Sequence, residues 1–169
     1  MSKVPIWTVG LIMAGVCFVG AARADSDKLP ITFDSLVHDV HMSAAKFGLQ
    51  DPVDKVNCVE ATNGRKSCNY KFGADTVISA QTDKGGQQIT TFTIICQPGS
   101  VKCPKLCLAE IMLLAPEAAS KKEKIVTYLF DGIRLGNEAR LMTEETKFIL
   151  QNNTPAGVWF HIQAANEED

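Results

Sequence analysis

The sequence predicts an α+β fold: an antiparallel β-meander sheet packed by two or three helices on one side. Three observations predict it. An apolar stripe recurs at helical spacing through Phe33, Leu36, Val37, Val40, Ala44 and Phe47. Strand-length segments separated by turn residues then run from Val56 to Cys96. Beyond Pro104, helical stripes give way to strand-like segments a second time.

The first helix is expected from about residue 33 to 47, with Thr32 or Asp34 as its cap and Gly48 as its stop. Asp51-Pro52 breaks the chain. In the meander, Val56, Cys58 and Val59 mark a first strand, and Cys68, Tyr70 and Phe72 alternate along a second. Thr76–Thr82 and Gln87–Cys96 follow as the third and fourth. In the fourth, Phe92, Ile94 and Cys96 share one face, and Ile89, Thr91, Thr93 and Ile95 the other. Pro104 suits a first helical turn, and Leu106–Leu114 is apolar on nearly every side, as a buried helix would be. Ala115-Pro116 interrupts it. Ile125, Val126, Leu129, Phe130 and Ile133 then form the stripe of another helix, ended by Gly136. Lys147–Gln151 and Val158–Ala164 read as strands around the Asn152–Gly157 turn. Arg140–Met142 reads as a third, with charge-rich Thr143–Thr146 able to extend a helix instead.

Residues 1–24 have the pattern of a signal peptide. Lys3 precedes the apolar run Ile6–Val19, and Ala22-Arg23-Ala24 offers small residues to a peptidase. Cleavage is expected between Ala24 and Asp25, leaving residues 25–169 as a single domain in the periplasm of a bacterium or secreted from it. The run falls short of the roughly 20 apolar residues of a membrane span, so no stable anchor is expected after cleavage. Val16 is not the small residue that a lipoprotein site places before its cysteine, so Cys17 is assigned to the discarded leader. Without Lys3 and Arg23, the chain's 17 basic residues become 15 against 19 acidic ones. No basic stripe appears, and nucleic acid is not an expected partner.

The cysteines carry the most specific signal. A three-residue hairpin loop, Thr62-Asn63-Gly64, would use Gly64 at its left-handed position and set Ala61 opposite Arg65. Counting outward places Cys58 opposite Cys68 in a non-hydrogen-bonded pair, the kind whose side chains come closest. The same count sets Val56 opposite Tyr70. A two-residue Asn63-Gly64 turn would instead set Cys58 opposite Asn69. Cys96, Cys103 and Cys107 form an odd set. One bridge is expected from Cys96 to Cys103 or Cys107, with the remaining thiol buried and inert. A thiol at a helix start can have a lowered pKa, which makes Cys103 the sharper candidate for reactivity. The Cys-x-x-x-Cys spacing matches neither a thioredoxin-type motif nor a common zinc motif.

Asp34, His38 and His41 fall on one flank of the first helix, at spacings that could share zinc or copper. The plainer account is a solvated polar flank. His161 is expected as a satisfied sheet residue, and Trp159 as core, sheet face or interface anchor. There is no nucleophile elbow, no phosphate-binding glycine loop, no His-Glu-x-x-His helix and no obvious acid–base pair of carboxylates, and no cofactor is expected.

The expectation is therefore a non-enzymatic binding, accessory or inhibitor-like module acting on another envelope or secreted protein. Its candidate contact is the loop Gln97, Pro98, Gly99, Ser100, Val101 and Lys102, held at one end by the Cys96 staple. The alternatives are a metal-handling protein or enzyme using Asp34, His38 and His41, and a carrier with an apolar ligand pocket between sheet and helices.

Overall fold

In a computed structural model of the chain, residues 28–166 are described. The leader, its Ala24–Asp25 cleavage site and the acidic tail Glu167-Glu168-Asp169 lie outside the described residues. The elements run α1 Leu36–Ala45, β1 Val53–Glu60, β2 Lys66–Phe72, β3 Thr76–Thr82, β4 Ile89–Cys96, α2 Cys103–Leu114, a 3-10 turn Pro116–Lys121, α3 Lys122–Leu135, β5 Glu138–Met142, β6 Thr146–Asn152 and β7 Val158–Ala164. All seven strands join one antiparallel sheet in the order β1-β2-β3-β4-β7-β6-β5. Two meanders thus merge where β4 pairs with β7. That junction places β4 at the centre of the sheet, which is why its sequence is apolar or β-branched at almost every position.

Registers across the sheet sort its side chains onto two faces. One inner row runs Tyr70, Ile78, Ile94, Phe160, Leu150 and Ala139 from β2 to β5. These residues join one buried cluster with Leu36 and Val40 of α1, Leu106 and Ile111 of α2, and Ile125 and Leu129 of α3. Phe72, Phe92, Phe148 and Phe160 fill the space between sheet and helices. The matching outer row runs Lys71, Val77, Ile95, Trp159, Gln151 and Glu138, and none of these is in that cluster.

Local chemistry accounts for the element ends. Gly48 at φ +74° stops α1, with the Leu49 N–H donating to the Ala44 carbonyl over 3.1 Å. α1 is shorter than the stripe predicts, beginning at Leu36. The preceding chain is tied to the start of β4 instead: the Leu29 N–H donates to Ile89 and the Phe33 N–H to Gln87, each over 2.8 Å. The Ala61 N–H donates to the Arg65 carbonyl over 2.8 Å, and Gly64 stands at φ +81°. The three-residue loop is therefore the one formed. Thr143–Thr146 is a turn into β6 rather than a helical extension, closed by the Thr143 N–H on the Thr146 carbonyl over 2.8 Å.

Two expected alignments are corrected by irregular pairing. A register shift between Lys55 and Asn57 sets Lys55, not Val56, opposite Tyr70. Val56 is the extra residue of that bulge and stands 63% exposed. A second shift, between Gln81 and Thr82, pairs Thr82 with Ile89. Ile89 thereby joins Phe92 and Ile94 in the core instead of facing outward with Thr91 and Thr93.

Candidate functional site

The loop from Gln97 to Lys102 leaves β4 and enters α2, and it is restrained at both ends. Cys96 and Cys103 lie at disulfide-bonding distance, with Cα atoms 5.9 Å apart. Between them, the Gln97 N–H donates to the Asp75 carbonyl over 2.9 Å, and the Ser100 hydroxyl donates to the Asp75 carboxylate over 2.7 Å. The Ser100 N–H returns to the Gln97 carbonyl over 3.1 Å, closing a turn with Gly99 at φ +79°. Lys102 pairs with Asp51, at the entry to β1, over 2.8 Å. The Asp51 side chain is admitted by Gly73: a Cβ there would stand 2.6 Å from its Oδ1.

This arrangement fixes charge as well as backbone. The Asp75 carboxyl is held below the usual carboxylate range, first by the Ser100 hydroxyl and then by the nearby Lys102 ammonium. Lys102 is held above its usual value by its bond to Asp51. The polar groups at the loop base thus satisfy one another, while Gln97, Pro98 and Gly99 are exposed and Val101 is 83% exposed. Pro98 and Val101 are thus the apolar side chains this tethered segment offers to solvent.

A hollow of about 430 Å³ adjoins the loop on the outer sheet face. Val56, Val77, Ile95 and Ala156 give it apolar walls; Lys71 and Gln97 stand beside them. The bulge in β1 helps form it by turning Val56 outward. The β6–β7 turn closes against the loop's first residue: a Cβ on Gly157 would sit 2.0 Å from the Cys96 carbonyl oxygen. Glycine is required there twice over, since its φ is +104°.

The remaining predicted residues are placed elsewhere. Cys58 and Cys68 face each other across β1 and β2 at disulfide-bonding distance, with Cα atoms 4.1 Å apart. Among the described residues, Cys107 is the free, buried thiol. Burial raises its pKa beyond the ordinary thiol range, and Glu110 adds to the rise. Cys103, the candidate for reactivity, is instead taken up by Cys96. His38 and His41 are exposed on α1, and Asp34 lies in the turn before the helix rather than on it. Among the described residues, no group of three or more His, Cys, Asp or Glu could hold a metal ion.

His161 forms a small network on the outer face. Its Nδ1 lies 2.9 Å from the Thr93 hydroxyl and its Nε2 3.3 Å from the Gln151 carbonyl oxygen. Because that oxygen can only accept, Nε2 carries the proton and the Thr93 hydroxyl donates to Nδ1. Burial lowers the imidazole pKa, partly offset by Glu138. Trp159, its neighbour along β7, is half-buried, with ring centroids 6.2 Å apart.

Two features escape the sequence reading. The hollow depends on the β1 bulge, for which no side chain gives a signal. The second is Glu110, a fully buried carboxyl on α2 that accepts the Ser43 hydroxyl over 2.9 Å. Its signal was visible, as the single charge within Leu106–Leu114. A groove of about 220 Å³ between α1 and α2 runs past Ser43, lined also by Asp39, Met42 and Met112. No protein-family model matches the chain, and no curated protein and no solved structure matches it either.

Proposed function

We propose that the protein is an exported, non-enzymatic binding or accessory module that presents the 97–102 loop, with the hollow beside it, to another envelope or secreted protein. The carrying observation is Val101, 83% exposed on a loop whose base is tied by Cys96–Cys103, Ser100–Asp75 and Lys102–Asp51. A pre-ordered loop loses little entropy on binding, so its exposed side chain can contribute contact energy with a small ordering cost. The two cysteine pairs support an oxidising compartment, in keeping with cleavage after Ala24 and residence in the periplasm or medium. No helix among the described residues is long and apolar enough to cross a membrane.

A photoreactive amino acid placed at Val101, and separately at Lys124 on α3, tests this reading in living cells. A discrete cross-linked species is expected from position 101 and not from position 124. Untying the loop with Cys96→Ser and Cys103→Ser should abolish that species while the far-ultraviolet circular dichroism is retained. No adduct at position 101, or equal adducts from both positions, would overturn the proposal.

A further inference from the structure

A groove of about 220 Å³ lies between α1 and α2, and it shares no residue with the hollow beside the 97–102 loop. Asp39, Met42, Ser43 and Lys46 follow one another at i, i+3, i+4 and i+7, so one flank of α1 and its cap forms the first wall. Ala109, Met112 and Leu113, at i, i+3 and i+4 of α2, form the second. Ala109 brings only a methyl group to its wall, which leaves the two helices a space to enclose.

The α1 wall carries opposite charges at its two ends. Among the described residues, neither the Asp39 carboxylate nor the Lys46 ammonium forms an ion pair or a hydrogen bond. Seven helical positions separate them, about 10 Å along the axis. Ser43, between them, is 5% exposed and donates its hydroxyl to Glu110. The second oxygen of Glu110 is buried without a hydrogen-bond partner, and Asp39 lies near enough to raise that carboxyl's pKa further. Oxygen acceptors thus gather toward the Asp39 end with no cationic donor among them, while Lys46 marks the other end. Met42, 50% exposed, and Met112 line the stretch between with flexible thioethers, which shape themselves to an apolar guest.

We infer that this groove binds a short peptide of two or three residues with free termini and an apolar side chain, its ammonium toward Asp39 and its carboxylate toward Lys46. Length, volume and charge select that class. An extended chain advances about 3.5 Å per residue, so two or three residues match the distance between the charged ends. A cavity of about 150 Å³ holds a molecule of benzene. The 220 Å³ here therefore admits one apolar side chain and a short length of backbone, not a folded partner. A free amino acid bears both charges on groups of one carbon and would leave one end of the groove unserved. A ligand of a single sign would meet its like at Asp39 or at Lys46. A peptide with both termini free completes a charge-assisted hydrogen bond at each end and covers Met42, which solvent otherwise bathes.

Isothermal titration calorimetry with the tripeptide Gly-Leu-Gly tests the site, using the chain as isolated from cells. Saturable binding of one peptide per chain is expected. The same peptide acetylated at its amino end, and separately amidated at its carboxyl end, should each bind on the order of tenfold more weakly, since each loses one charged partner. Asp39→Asn should weaken the free peptide and erase its advantage over the acetylated one. Lys46→Gln should likewise erase the advantage over the amidated one. Neither side chain holds a partner among the described residues, so both variants keep the fold, which thermal melts verify. No heat of binding at millimolar peptide, binding indifferent to the capped ends, or charge variants that still distinguish free from capped peptide as the parent does would each overturn the inference.

Discussion

The Ser43 hydroxyl on α1 donates to the Glu110 carboxylate on α2 over 2.9 Å, in the helix contact that closes the core on that side. Glu110 is fully buried, and its second oxygen has no hydrogen-bond partner among the described residues. Burial pushes the carboxyl pKa up to about 8, with the Ser43 bond opposing the rise and Asp39 adding to it.

That shift makes stability depend on pH with a definite sign. The unfolded chain ionises Glu110 near the ordinary carboxyl value, the folded chain near 8. Stability from this group is complete below the ordinary value and is lost as pH rises toward about 8, by an amount on the order of a few kcal/mol. Denaturant melts at pH 5 and pH 8.5 should show the loss. Glu110→Gln should flatten it and leave the variant more stable than the parent at the higher pH. A variant retaining the parent's slope would show that Glu110 is not its source.

Ser43→Ala tests the other half of the contact. It removes the side-chain hydrogen-bond partner of the buried carboxyl, which is protonated at pH 5, at an expected cost of about 1–3 kcal/mol. The groove between α1 and α2 gives the cavity an outlet to solvent beside Met42 and Met112, so relaxation there would place the cost at the low end. Chemical denaturation of the single variant supplies the value.

The Cys58–Cys68 bridge ties down a strand that buries little of its own. Seven of the eight residues of β1 are exposed, so few side chains hold it to β2 beyond the ladder itself. Replacing both cysteines by serine should cost roughly 2–3 kcal/mol in the loop-entropy treatment. Hydrogen exchange should locate the effect: amides of β1 should exchange faster, and those of β4 and β7 should not change.

His161 carries the opposite pH sign to Glu110. Its folded-state pKa is depressed by burial, and the network with Thr93 and Gln151 requires the neutral ring. Its contribution is present above the ordinary imidazole value and is lost as pH falls through the depressed one. Proton NMR should find the His161 ring titrating below the usual range, and Thr93→Val should perturb that resonance directly.

What was legible in the chain was local. Asn63 and Gly64 mark a hairpin, and the Cys58–Cys68 pairing follows by counting from the three-residue loop, one of the two loop lengths those residues allow. Thr76–Thr82 and Val158–Ala164 have the very bounds their alternation predicts. Counting fails where a strand holds an extra residue, as at Val56 and Thr90, because a bulge leaves the composition of a strand unchanged. The pairing of β4 with β7 was not legible either, since it joins segments more than 60 residues apart. The choice between Cys103 and Cys107 needed the helix placed. Cys103 opens α2 at the loop, while Cys107, one turn further, faces the core. The candidate loop was visible through its cysteines and glycine, but its restraint by Asp51 and Asp75 was not.

The proposed export requires a leader removed and cysteines joined in an oxidising compartment, where the Cys96–Cys103 bridge closes the base of the 97–102 loop. Intact-mass measurement of the unreduced protein from cells, followed by non-reducing peptide mapping, tests this most directly. The expected species begins at Asp25, lacks two hydrogens for each of the two bridges, and yields Cys96 joined to Cys103 with Cys107 unmodified. A chain that keeps Met1–Ala24 and carries every cysteine as a thiol would contradict it.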